Sequence, residues 1–347
     1  MGRKILWASL VLAPLTFLAD LLHAGHVALF ALAAAALIPL AWLIGESTEH
    51  AAQHTGPGVG GFLNASFGNA PELIIALFAV GDGLPDVVRG SITGSVVSNI
   101  LLVLGVALIA LPGEGRLDRR SLLLQLGLVV VAVLTYLVVS IPGFDGDPNR
   151  HSLAVAGVPV AVVLLALYVG VTAYGLRRHA RLHAAAQPAE PTGWSLRVSL
   201  VVLAAATGAT AVISEILVHS LDAFADSAGL SEFFVAAVIV AIVGNAAEHG
   251  GAVVIARRGN VRLATEIAIS SSAQVALLVT SAVALLSFAV TPALALSFRP
   301  VELAAMGGAA AFVALVIADG RARRWEGFML VGVYAAVVGV FLAVGDR

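Results

Sequence analysis

Apolar residues in this chain come in long runs separated by short polar punctuation, and they do not alternate. A helix needs about 20 mostly apolar residues to cross a hydrocarbon core. Eleven segments reach that length, near 4–22, 27–46, 62–81, 88–111, 121–141, 152–176, 197–220, 233–256, 264–289, 300–318 and 326–344. Strands of a membrane barrel would alternate between apolar and polar residues, so the pattern predicts an all-α polytopic membrane protein with 11 transmembrane helices. The first segment follows Arg3-Lys4 as a signal peptide would, but no small-residue cleavage site comes after it, and it reads as a helix.

Charge placement orients these segments. Cytoplasmic connections of membrane proteins hold the excess of Lys and Arg. With the N-terminus inside, all but four of the 19 basic residues fall in inside connections, among them Arg3, Lys4, Arg116, Arg119, Arg120, Arg177, Arg178, Arg257, Arg258, Arg321, Arg323 and Arg324. The four outside are Arg89, Arg150, Arg299 and Arg347. The bias alternates connection by connection, which predicts a multi-pass plasma (inner) membrane protein with a cytoplasmic N-terminus and an external C-terminus. Composition agrees. With 60% hydrophobic and 12% charged residues and a mean hydropathy of +1.00, the chain has about half the charge of an average soluble domain. Disorder is excluded by the same figures. A net charge of −2 offers no field for nucleic acid, and the lack of cysteine removes disulfides and thiolate metal sites.

Two halves of the chain resemble each other. Gly68-Asn69-Ala70-Pro71-Glu72 in the third segment matches Gly244-Asn245-Ala246-Ala247-Glu248 in the eighth at an offset of 176. Ser95 to Val103 in the fourth matches Ser270 to Leu278 in the ninth at an offset of 175. Thr48-Glu49 matches Ser214-Glu215 at a smaller offset. The predicted organisation is an N-terminal helix (1–24), a first five-helix repeat (25–176), a cytoplasmic linker (177–196) and a second five-helix repeat (197–347). Five is odd, so the second copy enters the membrane from the opposite side. Inverted repeats of this kind build many secondary transporters, with the substrate site near the midplane between the repeats.

The chemistry gathers at the repeated motifs. Glu72 and Glu248 lie well inside their segments, where a carboxylate costs about 2.5–3.5 kcal/mol even on insertion scales. Asn69 and Asn245 each precede their glutamate by three residues and share its helix face, while Gly68 and Gly244 loosen the helix. Ser95 with Asn99, and Ser270 with Gln274, sit four residues apart on the neighbouring segments; Ser98 joins the first set. Carboxylates, amides, hydroxyls and freed carbonyls are hard oxygen ligands, the set Ca²⁺ takes in six- to eightfold coordination. Without a cation, two facing carboxylates in low dielectric do not both stay ionised, so protons and the cation compete for the same oxygens. Glu49 and Glu215 read as a proton or cation route, with an interfacial solvated role the alternative for Glu49. His249 reads as a proton relay or as a hydrogen-bonded interhelical histidine. Glu46, His50 and His54 repeat every four residues, as a metal or pH-sensing cluster or, more simply, a solvated helix extension.

These residues resemble a known family. GNAPEL (68–73) and GNAAEH (244–249) are similar to the paired motifs of the calcium/proton exchanger (CAX) family, within the calcium/cation antiporter superfamily. The resemblance extends to GESTEH (45–50), GSVVSNILLVLG (94–105), ISEILV (213–218) and SSAQVALLV (271–279), and so to essentially the whole chain. It implies one extra helix before two inverted five-helix repeats. It also implies that Glu72 and Glu248 bind cation or protons, that Asn69, Asn245, Gly68 and Gly244 complete the site, and that Ser95, Asn99, Ser270 and Gln274 line the path. Many members carry an acidic stretch between the repeats; here 177–196 holds only Glu190 and several arginines.

The expected function is therefore exchange of cytosolic Ca²⁺ for external H⁺ by alternating access. Na⁺/Ca²⁺ or monovalent cation/proton exchange is the alternative. Partners are Ca²⁺, H⁺ and the lipid bilayer, no cofactor is expected, and a homo-oligomer is left open. An intramembrane enzyme is disfavoured: there is no H-E-x-x-H, and Gly81-Asp82 lacks the preceding glycine of a G-x-G-D motif.

Overall fold

The computed structural model describes residues 2–145, 147–183, 193–290 and 293–345, and they are almost entirely helical. Among them nine helical segments are long and apolar enough to cross a membrane, and one further bent pair makes a tenth. The N-terminal pair α1 (Gly2–Ser9) and α2 (Leu12–Leu21) leads into α3 (His26–Phe67). The helix α4 (Ala70–Gly81) is apolar but only 12 residues long. Next come α5 (Pro85–Val97) and α6 (Leu104–Ala110), joined by a π-helical stretch, Ser98–Val103. The first half closes with α7 (Arg119–Ser140) and α8 (His151–His183).

The second half follows. It has α9 (Leu196–Ala228), the short α10 (Glu232–Phe234), a π-helical Val235–Val240, α11 (Ala241–Gly244) and α12 (Ala246–Arg257). It continues with α13 (Val261–Gln274), a π-helical Val275–Val279, α14 (Thr280–Leu286), α15 (Pro300–Val316) and α16 (Arg324–Val344). The expected linker lies mostly outside the described residues, since 184–192 are not among them.

The third and eighth segments, expected as continuous helices over 62–81 and 233–256, are both broken. In the first, helix ends at Phe67, and Asn69 sits at φ −101°, ψ 16° before α4 begins. In the second, Asn245 at φ −90°, ψ 8° bends α11 against α12 by 57°. Glycine precedes the asparagine in both, and Pro71, which has no N–H to donate, is tolerated in the first turn of α4. The stretch before the first break belongs to α3, which is helical along its length but not straight. A Cβ on Gly60 would lie 2.8 Å from the Cβ of Ala52, whereas eight residues of straight helix span about 12 Å. The chain therefore folds back on itself between Ala52 and Gly60.

Two packing features position the site. First, α3 lies along α9 more extensively than any other two elements pack, with Phe30 stacked on Phe224 at 4.2 Å between ring centres. Second, α5 crosses the π-helical Val235–Val240 through Gly90 and Gly94. A Cβ on Gly94 would fall 1.9 Å from the Ala237 carbonyl oxygen. This is the small-residue spacing that lets membrane helices approach backbone to backbone.

Contacts between connections sort them into two ends of the molecule. At one end, β1 (Gly115–Arg116) pairs antiparallel with β2 (Arg321–Ala322) and Arg262 bonds Asp118, while Arg3 bonds Glu46 and His54 Nε2 lies 2.8 Å from the Trp194 carbonyl in a cluster of their own. At the other, the fully buried Arg89 reaches Asp86, Asn149 Oδ1 and the Ala295 carbonyl.

Candidate functional site

Each helix break sets a carboxylate in the first turn of the helix after it. Counting Asn69 and Asn245 as the N-caps of α4 and α12, Glu72 and Glu248 both stand at the third helical position. There the unpaired backbone N–H groups and the helix dipole favour negative charge. Two positive helix ends thus converge from the two repeats, which is how discontinuous helices build ion sites in transporters. Glu72 is buried, and its Oε2 has no hydrogen-bond partner. A Cβ on Gly244 would stand 3.5 Å from Glu72 Oε1. The first motif's carboxylate therefore rests against the backbone of the second. Glu248 is half-buried and accepts a hydrogen bond from the Ser271 hydroxyl.

The amides knit the repeats together. Asn245 Nδ2 donates to Ser95 Oγ at 2.9 Å and to the Ala241 carbonyl at 2.9 Å, and its Oδ1 accepts from Asn99 Nδ2 at 3.1 Å. Asn99 also donates to Ser271 Oγ at 3.0 Å, and its Oδ1 lies 3.1 Å from His249 Nε2. On the other side, Asn69 Nδ2 donates to Gln274 Oε1 at 2.7 Å. The repeat offset maps Asn69 onto Asn245 and Asn99 onto Gln274, so Asn69–Gln274 is the counterpart of Asn245–Asn99. Asn99 lies inside one π-helical stretch, and Gln274 immediately precedes its counterpart; such stretches often mark functional sites.

A cavity of about 580 Å³ reaches this network, and Glu72 is not among its lining residues. Gly68, Glu248, Ser270, Ser271 and Gln274 line it at depth, and Trp42, Gly45, Glu46 and Glu49 line it toward the mouth. A second cavity, about 440 Å³, continues outward between Arg3, Glu46, Glu49, His50 and Gly193-Trp194.

The expected residues divide as follows. Glu72, Glu248, Asn69, Asn245, Gly68, Gly244, Ser95, Asn99, Gln274 and His249 come together, and Ser270 joins from the cavity wall. Ser98 turns back to the Ser95 carbonyl. Glu49 is exposed at the cavity mouth, whereas Glu215 is exposed on α9 and does not line the cavity. His50 stands 3.4 Å from Glu46 and stacks near Trp194, and among the described residues no three His, Asp or Glu side chains converge as a metal cluster. Sequence reasoning passed over Ser271, Ala241 and Gly94. The Gly90-x-x-x-Gly94 spacing was a readable signal for the last.

The chain's relatives agree with this architecture. The family profile described as "Sodium/calcium exchanger protein" matches residues 25–176 and 198–343. A protein named Ca(2+)/H(+) antiporter ChaA, from Bacillus subtilis (strain 168), is 35% identical over 95% of this chain and 96% of its own length. A Ca(2+)/H(+) antiporter of Synechocystis is 34% identical over 97% of both. Among solved structures, native YfkE superposes with a TM-score of 0.83 at 30% identity, covering 99% of this chain and 100% of that one. The H+/Ca2+ exchanger CAX structure shares the fold at a TM-score of 0.70, 17% identity and 99% and 92% coverage. This multi-pass helical membrane protein belongs to the sodium/calcium exchanger family, and within it resembles the members named for calcium/proton antiport.

Proposed function

We propose that the protein exchanges cytosolic Ca²⁺ for external H⁺ by alternating access, with Glu72 and Glu248 holding either the cation or protons. One observation carries the reading: two repeat-related carboxylates stand at one site, Glu72 buried with one oxygen lacking a donor and Glu248 half-buried at the cavity. A buried carboxylate oxygen without a donor is costly unless the group is protonated or meets a cation. Two carboxylates match a divalent charge, and the surrounding donors are hard oxygens.

In this reading all 11 segments span, α4 and the end of α3 together forming the third. The N-terminus and the cavity mouth face the cytoplasm of a plasma membrane, and the two five-helix repeats (25–176 and 197–347) are inverted. Ca²⁺ enters past Glu46 and Glu49, displaces protons from Glu72 and Glu248, and takes oxygens from Asn69, Asn245 and the carbonyls by Gly68 and Gly244. The α3–α9 pair then shifts against the remaining helices and opens the opposite end. External protons neutralise the carboxylates, release the cation and return with the carrier. Ser95, Asn99, Ser270, Gln274 and His249 keep the interior polar along the way.

The test is Ca²⁺ flux into proteoliposomes under an imposed pH gradient. Flux driven by ΔpH and abolished by Glu72→Gln and by Glu248→Gln supports the reading; wild-type flux in both variants rejects it. Flux that needs a Na⁺ gradient, or that carries monovalent cations alone, assigns the protein to the alternative exchange.

A further inference from the structure

The face of α9 that carries Glu215 also carries His219 and Asp222, at helical spacing. His219 Nε2 lies 3.2 Å from Oδ2 of Asp82, the C-cap of α4. Among the described residues this is the one ion pair that joins α3 or α9 to a helix bearing a site carboxylate. Its position along both helices matters. From Leu196, beside the cavity mouth, to His219 is about 35 Å of helix, which takes the pair to the opposite end of the molecule. From Glu72 to Asp82 is about 15 Å. Between them Ile75, Ala76 and Ala79 form one buried stripe along α4. The helix α9 packs along α4, so parting the two would open a route for water from that end toward Glu72.

We propose that Asp82 and His219 form a proton-operated latch that positions α9 against α4 and holds the outer end shut. The inference rests on the exchange reading, which makes opening of that end a step of the cycle. Both residues are solvent-accessible, His219 at 56% and Asp82 at 29% of the side chain. Histidine is the side chain type that gains charge on acidification between about pH 8 and 5. Protonated, His219 pairs with the Asp82 carboxylate and pulls α9 onto α4. Neutral, it leaves only a hydrogen bond. External acid therefore tightens the closed outer end and slows its opening, a brake on proton entry that acts before the central carboxylates are reached. The other titratable groups about His219 are Glu215 and Asp222 on α9 and, on the elements packed against α9, Glu72 on α4, His26 at the outer end of α3, Asp20 on α2 and Glu232 on α10. His219 is a positioning residue and touches no transported ion.

The absence of cysteine allows a direct readout. Ser214, five residues toward the site from His219, is fully buried. With Ser214→Cys as reporter, an impermeant thiol reagent added outside measures opening of the outer end without any transport. Lowering external pH from about 8 to 6 should slow labelling about two- to fivefold, the range expected from an exposed ion pair. His219→Gln and Asp82→Asn should label at the fast rate at both pH values, and His219→Lys, charged throughout, at the slow rate at both. Glu215→Gln should keep the wild-type pH response. Labelling indifferent to pH, a Lys variant as fast as the Gln variant, or a pH response lost in Glu215→Gln would overturn the latch. Parallel flux assays separate the two claims: pH-dependent labelling without ΔpH-driven Ca²⁺ flux sinks the exchange reading and leaves the latch, and the converse sinks the latch alone.

Discussion

The two asparagines at the helix breaks do different work from the glutamates three residues on. Asn245 uses both amide hydrogens and its oxygen on Ser95, Ala241 and Asn99. Asn245→Ala should leave those partners unsatisfied in a buried setting and cost about 1–3 kcal/mol, read as a lowered thermal midpoint in detergent. For the glutamates the sign of the pH effect follows from competition. On the proposed exchange, protons and Ca²⁺ compete for the same oxygens, so Ca²⁺ binding to the purified protein should weaken as pH falls. In Glu248→Gln one competing carboxylate is gone, and calorimetric titration should find both weaker binding and a shallower pH dependence. The glutamates were legible because a membrane carboxylate is rare and a repeated one rarer. Ser271 was not, because three consecutive serines let the repeat offset select Ser270, while only the bend at Asn245 decides which hydroxyl meets Glu248. Glu215 shows the converse: hydropathy places it within a segment, but the exposed positions 212, 215, 219 and 222 put it on an outward stripe of α9.

Helices are where the sequence pattern was most informative and most misleading. Hydropathy averaged over 20 residues finds a span whether or not its middle is broken, so the 57° bend at Asn245 left no trace in it. The first break had a signal in Pro71; the second had only its likeness to the first. The π-helical stretches were invisible, since their residues are as apolar as any. The crossing of α5 over Val235–Val240 depends on a missing side chain. Gly94→Ala would push a methyl group to 1.9 Å from the Ala237 carbonyl. The backbones would have to separate, and overpacking of this kind costs about 1–3 kcal/mol or more. Lower yield and a reduced thermal midpoint are expected, whereas Gly208→Ala, where a Cβ meets nothing within 4 Å, should be silent in both.

At the scale of the molecule, the alternation of basic connections predicted which loops share an end, and the observed loop contacts join those same sets: 115–118 with 262 and 321–322 at one end, Arg89 with Asn149 and Ala295 at the other. The direction in the membrane is tested by single cysteines at Glu114 and Asp147. In intact cells an impermeant reagent should label the second and spare the first. Reversed labelling would turn the transport direction around without disturbing the site.

The crossed amide pairs carry a consequence for how such a chain arises. Asn69 is met by Gln274 and Asn245 by Asn99, so each half supplies the partner that the other needs. A single five-helix unit inserted alone would lack these cross-half amide partners. Two copies of that unit, inserted in opposite directions, would answer each other. On the proposed inverted arrangement, the architecture would be that of a self-complementary dimer of dual topology, fused end to end, in which the covalent connection guarantees one copy of each orientation and leaves the two halves free to diverge into a Glu72 side sealed by burial and a Glu248 side open to the cavity.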